Sequence, residues 1–264
     1  MEKKTNGDTI SLGEVTHEEI YTVSSFFDQY WSKIDLGSGV LIRCESGRRV
    51  WQIADSGTVA TVYGGECAFD ATYLLSYQFI ANCRPFLRSN ESIMLSIRGH
   101  EITASAKSGT LTMRCDPLER AFEVIDHLQT VRAQIQSSHL CSIVDTATYL
   151  QRDIPARISL EKAQLPESPT TSFTSITVNH EVMTLHTSWN LDYGLDDVTA
   201  TIVAKTIGTG TVNVSTHSLN QMSMVIGLRN NPEFTVSFDP ASGDFVVFSS
   251  STLRVALRRT PITN

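Results

Sequence analysis

The sequence lacks any apolar run long enough to cross a membrane. Its 264 residues are 41% hydrophobic and 19% charged, which lies within the range of globular proteins. A membrane-spanning helix needs about 20 consecutive apolar residues. Residues 1–8 are polar, which is untypical of a secretory signal. We therefore expect a soluble globular chain of one or two domains with no membrane partner.

Cysteine is scarce, and its spacing matches neither a paired metal-ligand pattern nor a dense disulfide framework. The five cysteines are Cys44, Cys67, Cys83, Cys115 and Cys141. Several lie in apolar stretches, such as Cys44 at the end of Val40–Cys44, where a cysteine usually acts as a small buried hydrophobe. We expect reduced thiols and no metal or other cofactor.

Positive charge is also scarce. The chain has 21 Lys and Arg against 28 Asp and Glu, a formal net charge of −7. A protein that binds nucleic acid over a broad outer surface is usually basic. Any contact with DNA must therefore be local.

No catalytic motif has the required context. His180-Glu181 is followed by His186, which is too distant for the one-turn spacing of a zinc-binding helix, and the segment has a strand pattern. Ser159–Lys162 and Lys107–Gly109 match two elements of serine β-lactamases in the wrong order. We predict that the protein is not an enzyme.

An internal repeat is the most informative feature that is present. Four segments read as a short strand followed by a residue that can cap a helix, and an apolar residue recurs about one turn later. The segments are 10–16, 67–70, 141–145 and 212–215, with caps predicted at Thr16, Asp70, Asp145 and Ser215. The later apolar residues are Ile20, Leu74 and Leu219, with Tyr149 and Leu150 in the third copy.

Each predicted helix is followed by runs that alternate with a period of two and are separated by turn residues, the pattern of antiparallel strands. These runs are 39–45, 50–53 and 59–63; 93–97, 102–106 and 111–113; 173–178, 182–186 and 198–204; and 234–238, 245–248 and 253–257. The chain is therefore predicted to contain four β-α-β-β-β units.

The four units are expected to pair into two domains, because one unit of about 50 residues buries too little apolar surface to fold alone. The predicted class is α+β, with helices on one face of antiparallel sheets. The domains would span 1–116 and 140–264. Apolar residues within 117–139 follow a helical spacing, so we predict an amphipathic connector helix with Pro117 in its first turn. Those apolar residues are Leu118, Phe122, Ile125, Leu128, Val131 and Ile135.

This repeat resembles the DNA sliding clamps, namely the bacterial β clamp and the proliferating cell nuclear antigen of eukaryotes and archaea. The resemblance covers nearly the whole chain, and its most specific local match is the strand-turn-strand at Val50–Val59. It implies a closed ring of six domains, hence a homotrimer, with helices lining a hole around double-stranded DNA. The chain would then be a polymerase processivity factor or recruitment platform, in the cytoplasm near the nucleoid or in a nucleus.

The resemblance also implies that basic residues on the helices meet DNA phosphates. The positions that it assigns to this role are Lys33, Arg84, Arg152, Arg157 and Arg229. Because they are few and have acidic neighbours, we expect only weak attraction to DNA. The alternative is a clamp-fold scaffold that does not encircle DNA, and a neutral or acidic helical face would favour it.

Clamps receive short peptides of polymerases and other partners in an apolar pocket. By position, the resemblance assigns this role to Ala54, Thr58, Val59, Leu118, Phe122, Val255, Leu257 and Pro261. The alternative is that these residues only pack the domain.

Overall fold

The structure is a computed structural model, and it describes residues 9–30, 39–54, 57–87, 92–118, 129–148, 173–191, 194–227, 232–241 and 243–260. The chain divides into two compact units. The first comprises Met1–Asp55, Val59–Glu123 and Ser251–Leu253, and the second comprises Ser56–Thr58, Val124–Ser250 and Arg254–Asn264.

The first unit contains two copies of a strand, a helix and three further strands. The first copy is β1 (Thr9–Val15), α1 (His17–Tyr30), β2 (Gly39–Glu45), β3 (Arg48–Ala54) and β4 (Thr58–Glu66). The second copy is β5 (Thr72–Ser76), α2 (Tyr77–Cys83), a 3-10 turn (Arg84–Leu87), β6 (Ile93–Arg98), β7 (Glu101–Ala106) and β8 (Gly109–Leu118).

The two copies of the first unit exchange their first strands. Strand β1 pairs with β6 in the order β1-β6-β7-β8, and β5 pairs with β2 in the order β5-β2-β3-β4. All of these pairs are antiparallel. Because each sheet contains strands of both copies, neither copy completes its core alone.

The second unit repeats the same plan. Its third copy is β9 (Val131–Gln136), helix α3 (137–148), β10 (Phe173–Asn179), β11 (Val182–Leu191) and β12 (Gly194–Val203). Its fourth copy is β14 (Gly210–Ser215), α4 (Thr216–Gly227), β15 (Glu233–Phe238), β16 (Phe245–Ser249) and β17 (Leu253–Arg258). Strands β9 and β14 are exchanged, giving the sheets β9-β15-β16-β17 and β14-β10-β11-β12. The predicted α+β class and the fourfold repeat are confirmed.

Helices α1 and α4 begin where the sequence predicts. The hydroxyl of Thr16 accepts a hydrogen bond from the backbone N–H of Glu19 at 3.3 Å, and the hydroxyl of Ser215 accepts one from Ser218 at 3.4 Å. Such bonds satisfy amides that have no partner within the helix. One turn later, Ile20 and Leu219 are fully buried against the sheets.

The predicted helix starts in the second and third copies are wrong. Asp70 precedes strand β5, which contains Leu74, and α2 begins only after Ser76. In the third copy, residues 141–145 lie inside α3, and the preceding strand is β9. In both copies an acidic residue followed by apolar residues resembles a capped helix start. The first strand of the copy lies later than predicted in the second copy and earlier than predicted in the third.

The predicted connector helix is wrong at both ends. Pro117 and Leu118 belong to β8, and Val131 and Ile135 belong to β9. A spacing of four residues fits one face of a helix and also one face of a strand, because four is twice the period of a strand. Buried Ala133, between exposed Arg132 and half-buried Gln134, shows that the local period is two. The middle of the predicted connector, 119–128, lies outside the described residues.

Two local features differ from the sequence pattern. Residues His180-Glu181 form the turn between β10 and β11, with Glu181 at φ 62°, and not part of a strand. A short strand that was not predicted, β13 (Lys205–Ile207), pairs with β9. No helix in the described part of the chain is long and apolar enough to cross a membrane.

Candidate functional site

The exposed sides of the helices are the surfaces that the resemblance assigns to DNA. Helices α1 and α2 contact each other in the first unit, and we call their exposed side the first helical face. Helices α3 and α4 are joined in the second unit by a 3.3 Å hydrogen bond from Thr148 to Asn220, and we call their exposed side the second helical face.

Neither helical face has a Lys or Arg within its described helices. The first face exposes His17, Glu18, Tyr21 and Gln78, and the rings of His17 and Tyr21 stack with centroids 5.8 Å apart. The second face exposes His139, Asp145, Thr146, His217 and Met224. With histidine counted as neutral, the described parts of both faces carry no positive side chain and are neutral to acidic.

Glu19, which the sequence places among the acidic neighbours on the first face, is buried. Its carboxylate accepts two hydrogen bonds from the guanidinium of Arg49, from Nε at 2.6 Å and from Nη2 at 2.9 Å. The indole N–H of Trp51 donates to the same carboxylate. The Arg49 side chain is fully buried, and only 5% of the Glu19 side chain is exposed. Glu19 is therefore structural, and Glu18 is the acidic group of that helical turn that reaches solvent.

The Arg49 guanidinium also ties strand β1 to strand β3. It donates to the carbonyl oxygen of Leu12 at 2.6 Å and to that of Glu14 at 2.5 Å. A buried ion pair is stable only when its remaining donors and acceptors are satisfied. Here the backbone of β1 supplies the acceptors, so this cluster fixes α1, β1 and β3 together. The sequence did not indicate it, because Glu19 and Arg49 are 30 residues apart.

Of the five predicted DNA-binding residues, only Arg84 is described. It lies at the C-cap of α2 and begins the 3-10 turn, and it is half-buried. Lys33, Arg152, Arg157 and Arg229 lie outside the described residues. Most described basic residues instead lie on strands and hairpin turns; exposed examples are Arg48, Arg98, Lys107, Arg114, Arg132, Lys205 and Arg258.

The structure does not bring Leu118 together with Ala54 and Val59. Ala54 pairs with Val59 at the end of the β3–β4 hairpin, and both are half-buried. Leu118 pairs with Thr72 and is 38% exposed. The register separates Ala54 from Leu118 by three inter-strand steps and four residues along the strands, which corresponds to about 20 Å. These residues cannot line one small pocket.

The residues predicted from the C-terminal part of the chain are mostly core. Val255 and Leu257 are fully buried and pair with Phe248 and Val246. Thr58, which was predicted for the same peptide site from the β3–β4 hairpin, is also buried and only 1% exposed. Phe122 and Pro261 lie outside the described residues. Val255 and Leu257 therefore pack the second unit, and their prediction as peptide-binding residues is corrected.

Arg259 also has a structural place. Its guanidinium donates to the carbonyl oxygens of Asp239, Pro240 and Gly243 at 3.1, 3.0 and 2.7 Å. These carbonyls belong to the loop between β15 and β16. Arg259 thus holds that loop against the end of β17.

Two of the cysteines, Cys44 and Cys67, are in contact. The thiol of Cys44 donates to the carbonyl oxygen of Cys67 at 3.2 Å, although the sequence spacing of the cysteines suggested no pairing. Cys83 and Cys115 are buried, whereas Cys44, which the sequence predicts to be a small buried hydrophobe, is partly exposed. Among the described residues, no group of three or more His, Cys, Asp or Glu side chains could hold a metal ion.

Sequence comparisons identify no relative of this chain. No protein-family model matches it. A search of curated proteins also found no match.

Solved structures match the fold over nearly the whole chain. A putative DNA polymerase III beta subunit from Eubacterium rectale superposes with a TM-score of 0.69 at 13% identity, covering 99% of this chain and 68% of that one. The beta subunit from Thermotoga maritima gives 0.69 at 14% identity, covering 94% and 64%. A sliding clamp from Bartonella birtlesii, solved bound to griselimycin, gives 0.71 at 12% identity, covering 97% and 66%.

The chain spans about two thirds of the length of these proteins. Identities this low establish the fold alone. Two units, each with two interlocked β-α-β-β-β copies, account for the match. The chain therefore has the fold of the DNA polymerase III beta sliding clamps.

Proposed function

We propose that the protein is a subunit of a closed clamp ring that recruits other proteins to DNA and has no chemistry of its own. The observation that carries this proposal is the clamp fold over nearly the whole chain. The chain provides two clamp-like units, and six such domains complete a ring in the family that it resembles. Three copies in a head-to-tail arrangement would supply them.

Free strand edges support this head-to-tail assembly. Strand β12 pairs with β11 along its whole length, and no described strand of the second unit pairs with its other edge. In the first unit, the segment Gly109–Arg114 of β8 pairs with β7 on one edge only among the described strands. Proteins normally cover or pair such edges. We propose that β12 of one copy pairs with β8 of the next.

Attraction to DNA is expected to be weak. Each phosphate neutralised by a Lys or Arg adds to affinity and to its salt dependence, and the described helices provide no such residue. Binding would therefore depend on Arg84 together with Lys33, Arg152, Arg157 and Arg229. A ring holds DNA by topology, so weak attraction still permits sliding.

Topological retention tests encirclement directly. The protein is incubated with a linear duplex tethered to a bead at one end, the free end is then blocked with a bulky protein, and the beads are washed in high salt. A threaded ring stays until the DNA is cut, because salt weakens ionic contacts but does not open a ring. The control is DNA whose free end is blocked before the protein is added. Equal loss from both samples would overturn encirclement.

We further propose that a short peptide of a polymerase or another partner binds beside Ala54 and Val59. A peptide needs apolar anchors to offset its ordering entropy, and the half-buried side chains of Ala54 and Val59 at the end of a hairpin offer them. Thr58, Val255 and Leu257 are not part of this site because they are buried.

A matched pair of variants tests the peptide site. Val59→Glu should weaken capture of a clamp-binding peptide at least tenfold, since it places a charge among apolar anchors. Leu118→Glu makes the same change about 20 Å away on an exposed residue and should leave capture unchanged. Thermal unfolding of both variants checks that each is folded. Equal capture by the two variants would place the peptide elsewhere.

A second candidate function is a clamp-fold scaffold that does not encircle DNA. The neutral to acidic character of the described helical faces favours it. It predicts peptide capture without any topological retention on blocked DNA. The two assays above therefore separate the two functions.

A further inference from the structure

Cys44 and Cys67 meet beside the first hairpin of the first unit. Cys44 is the second-last residue of β2 and pairs with Arg49 on β3. Cys67 follows the last residue of β4, and its backbone N–H donates to the carbonyl oxygen of Gly47 at 3.0 Å. Cys67 therefore lies next to the turn that joins β2 to β3.

The shape of that turn brings the two cysteines together. Ser46 and Gly47 both have positive φ, 52° and 77°, as in the two-residue turns that suit the twist of a hairpin. The hairpin ends there, and the chain after β4 passes beside it. As a result the Cys44 thiol donates to the Cys67 carbonyl oxygen at 3.2 Å, which places the Cys44 sulfur against the backbone of Cys67.

Cys44 and Cys67 are each partly exposed, in contrast to Cys83 and Cys115, which are buried. An open cavity of about 540 Å³ adjoins Cys67. It is lined by Ser46, Gly47, Arg48, Glu66, Cys67 and Ala68. Partial exposure lets a small disulfide reach Cys44, and the cavity leaves Cys67 open to solvent.

We propose that Cys44 and Cys67 form a reversible intramolecular disulfide that clasps the end of β4 to β2. The oxidant is a low-molecular-weight disulfide of the glutathione class. Residues 67–71 are outside any strand, so the backbone there has freedom to bring the sulfurs to the bond length of about 2.05 Å.

The exchange is balanced in two steps. The Cys44 thiolate attacks one sulfur of the small disulfide, and one small thiolate leaves. The Cys67 thiol loses its proton to solvent and attacks the Cys44 sulfur of the mixed disulfide, and the second small thiolate leaves. Two protein thiols are oxidised, and one small disulfide is reduced to two thiols.

Closure should become faster at higher pH. Burial, together with the neighbouring Cys44 side chain, raises the pKa of the Cys67 thiol to about 12. Cys67 is therefore protonated at neutral pH. As long as the pH stays below that pKa, each increase of one pH unit raises the thiolate fraction about tenfold. The second step should follow this rise.

The test oxidises the full chain with glutathione disulfide, blocks the remaining thiols and maps the disulfides by mass spectrometry. Free thiols should fall from the five present to three, since one disulfide consumes two, with Cys44 joined to Cys67. Dithiothreitol should restore all five. The closed form should melt at a higher temperature than the reduced form, because the bond constrains the unfolded chain.

Matched variants complete the test. Cys44→Ser and Cys67→Ser should each abolish closure. Cys141→Ser removes another partly exposed cysteine, whose thiol donates to the Ser223 carbonyl oxygen at 3.6 Å, and should leave closure unchanged. Glutathione that remains on Cys44 or Cys67 without closure, a disulfide between chains, or five unreacted thiols in the wild-type protein would overturn the proposal.

Discussion

At the scale of single residues, Glu19 shows how burial changes the role of a charge. Glu18 and Glu19 are adjacent in the first turn of α1, yet Glu18 is exposed and Glu19 is bound by Arg49 and Trp51. Helical geometry turns successive residues by about 100°, so one faces solvent and the next faces the sheet. Of these two residues, Glu18 alone contributes to the charge of the first helical face.

Replacing Glu19 should destabilise the first unit strongly. Glu19→Gln removes the negative charge and leaves the buried Arg49 guanidinium without its counter-ion, which costs about 3–5 kcal/mol. Glu18→Gln is the matched control, and an exposed substitution of this kind changes stability by about 0.5 kcal/mol or less. Urea unfolding measures both. Equal stability of the two variants would contradict the assigned role of the ion pair.

Two adjacent glycines offer an independent check of the same cluster. A Cβ added at Gly64 would overlap the Glu19 carboxylate, whereas at Gly65 the nearest side-chain atom would be Arg49 Nη2 at 3.5 Å. Gly64→Ala should therefore cost about 1–3 kcal/mol through overpacking. Gly65→Ala should be neutral or slightly stabilising, because it reduces the freedom of the unfolded chain. If both variants unfold at the same urea concentration, Glu19 does not lie against β4.

At the scale of elements, strand alternation was the pattern most easily predicted from sequence. The last three strands of every copy were found, because Gly, Ser, Asp and Asn mark most of their turns and one face of each strand is apolar. Strand β13 was missed because it has only three residues.

Helix starts were predicted correctly only where the capping side chain forms a hydrogen bond to the first turn of the helix. Thr16 and Ser215 do so, whereas Ser76 makes no side-chain cap hydrogen bond before α2. In the second copy the cap position is therefore held by a residue of the right type that makes no capping bond. The exchange of first strands and the Glu19–Arg49 pair depend on contacts distant in sequence, which no local pattern indicates.

The loop between β15 and β16 is held by Arg259, which directly follows strand β17. Arg259→Ala removes three hydrogen bonds to loop carbonyls and should destabilise the protein by about 1–3 kcal/mol. Arg132→Ala, on an exposed position of β9, should change the free energy of unfolding by about 0.5 kcal/mol or less. Chemical denaturation compares them. An unchanged midpoint for Arg259→Ala would show that the loop holds without its guanidinium.

At the scale of the whole molecule, the clamp fold was predictable and the site was predictable only in part. The same succession of elements recurs four times along the chain. An error in the boundary of one element therefore does not change the fold that the repeat predicts. The peptide site depends on which apolar residues remain exposed. Alternation alone does not distinguish Val255, which is core, from Val59, which is half-buried.

The mass of the protein in solution tests the ring most directly. Light scattering or native mass spectrometry at micromolar concentration should give three times the chain mass of 29.2 kDa. A charged substitution on the free edge of β12, Thr201→Lys, should shift the mass towards that of the single chain if this edge pairs with β8. A trimer that Thr201→Lys dissociates is the predicted result, and a wild-type protein that remains a single chain at every concentration would contradict the account.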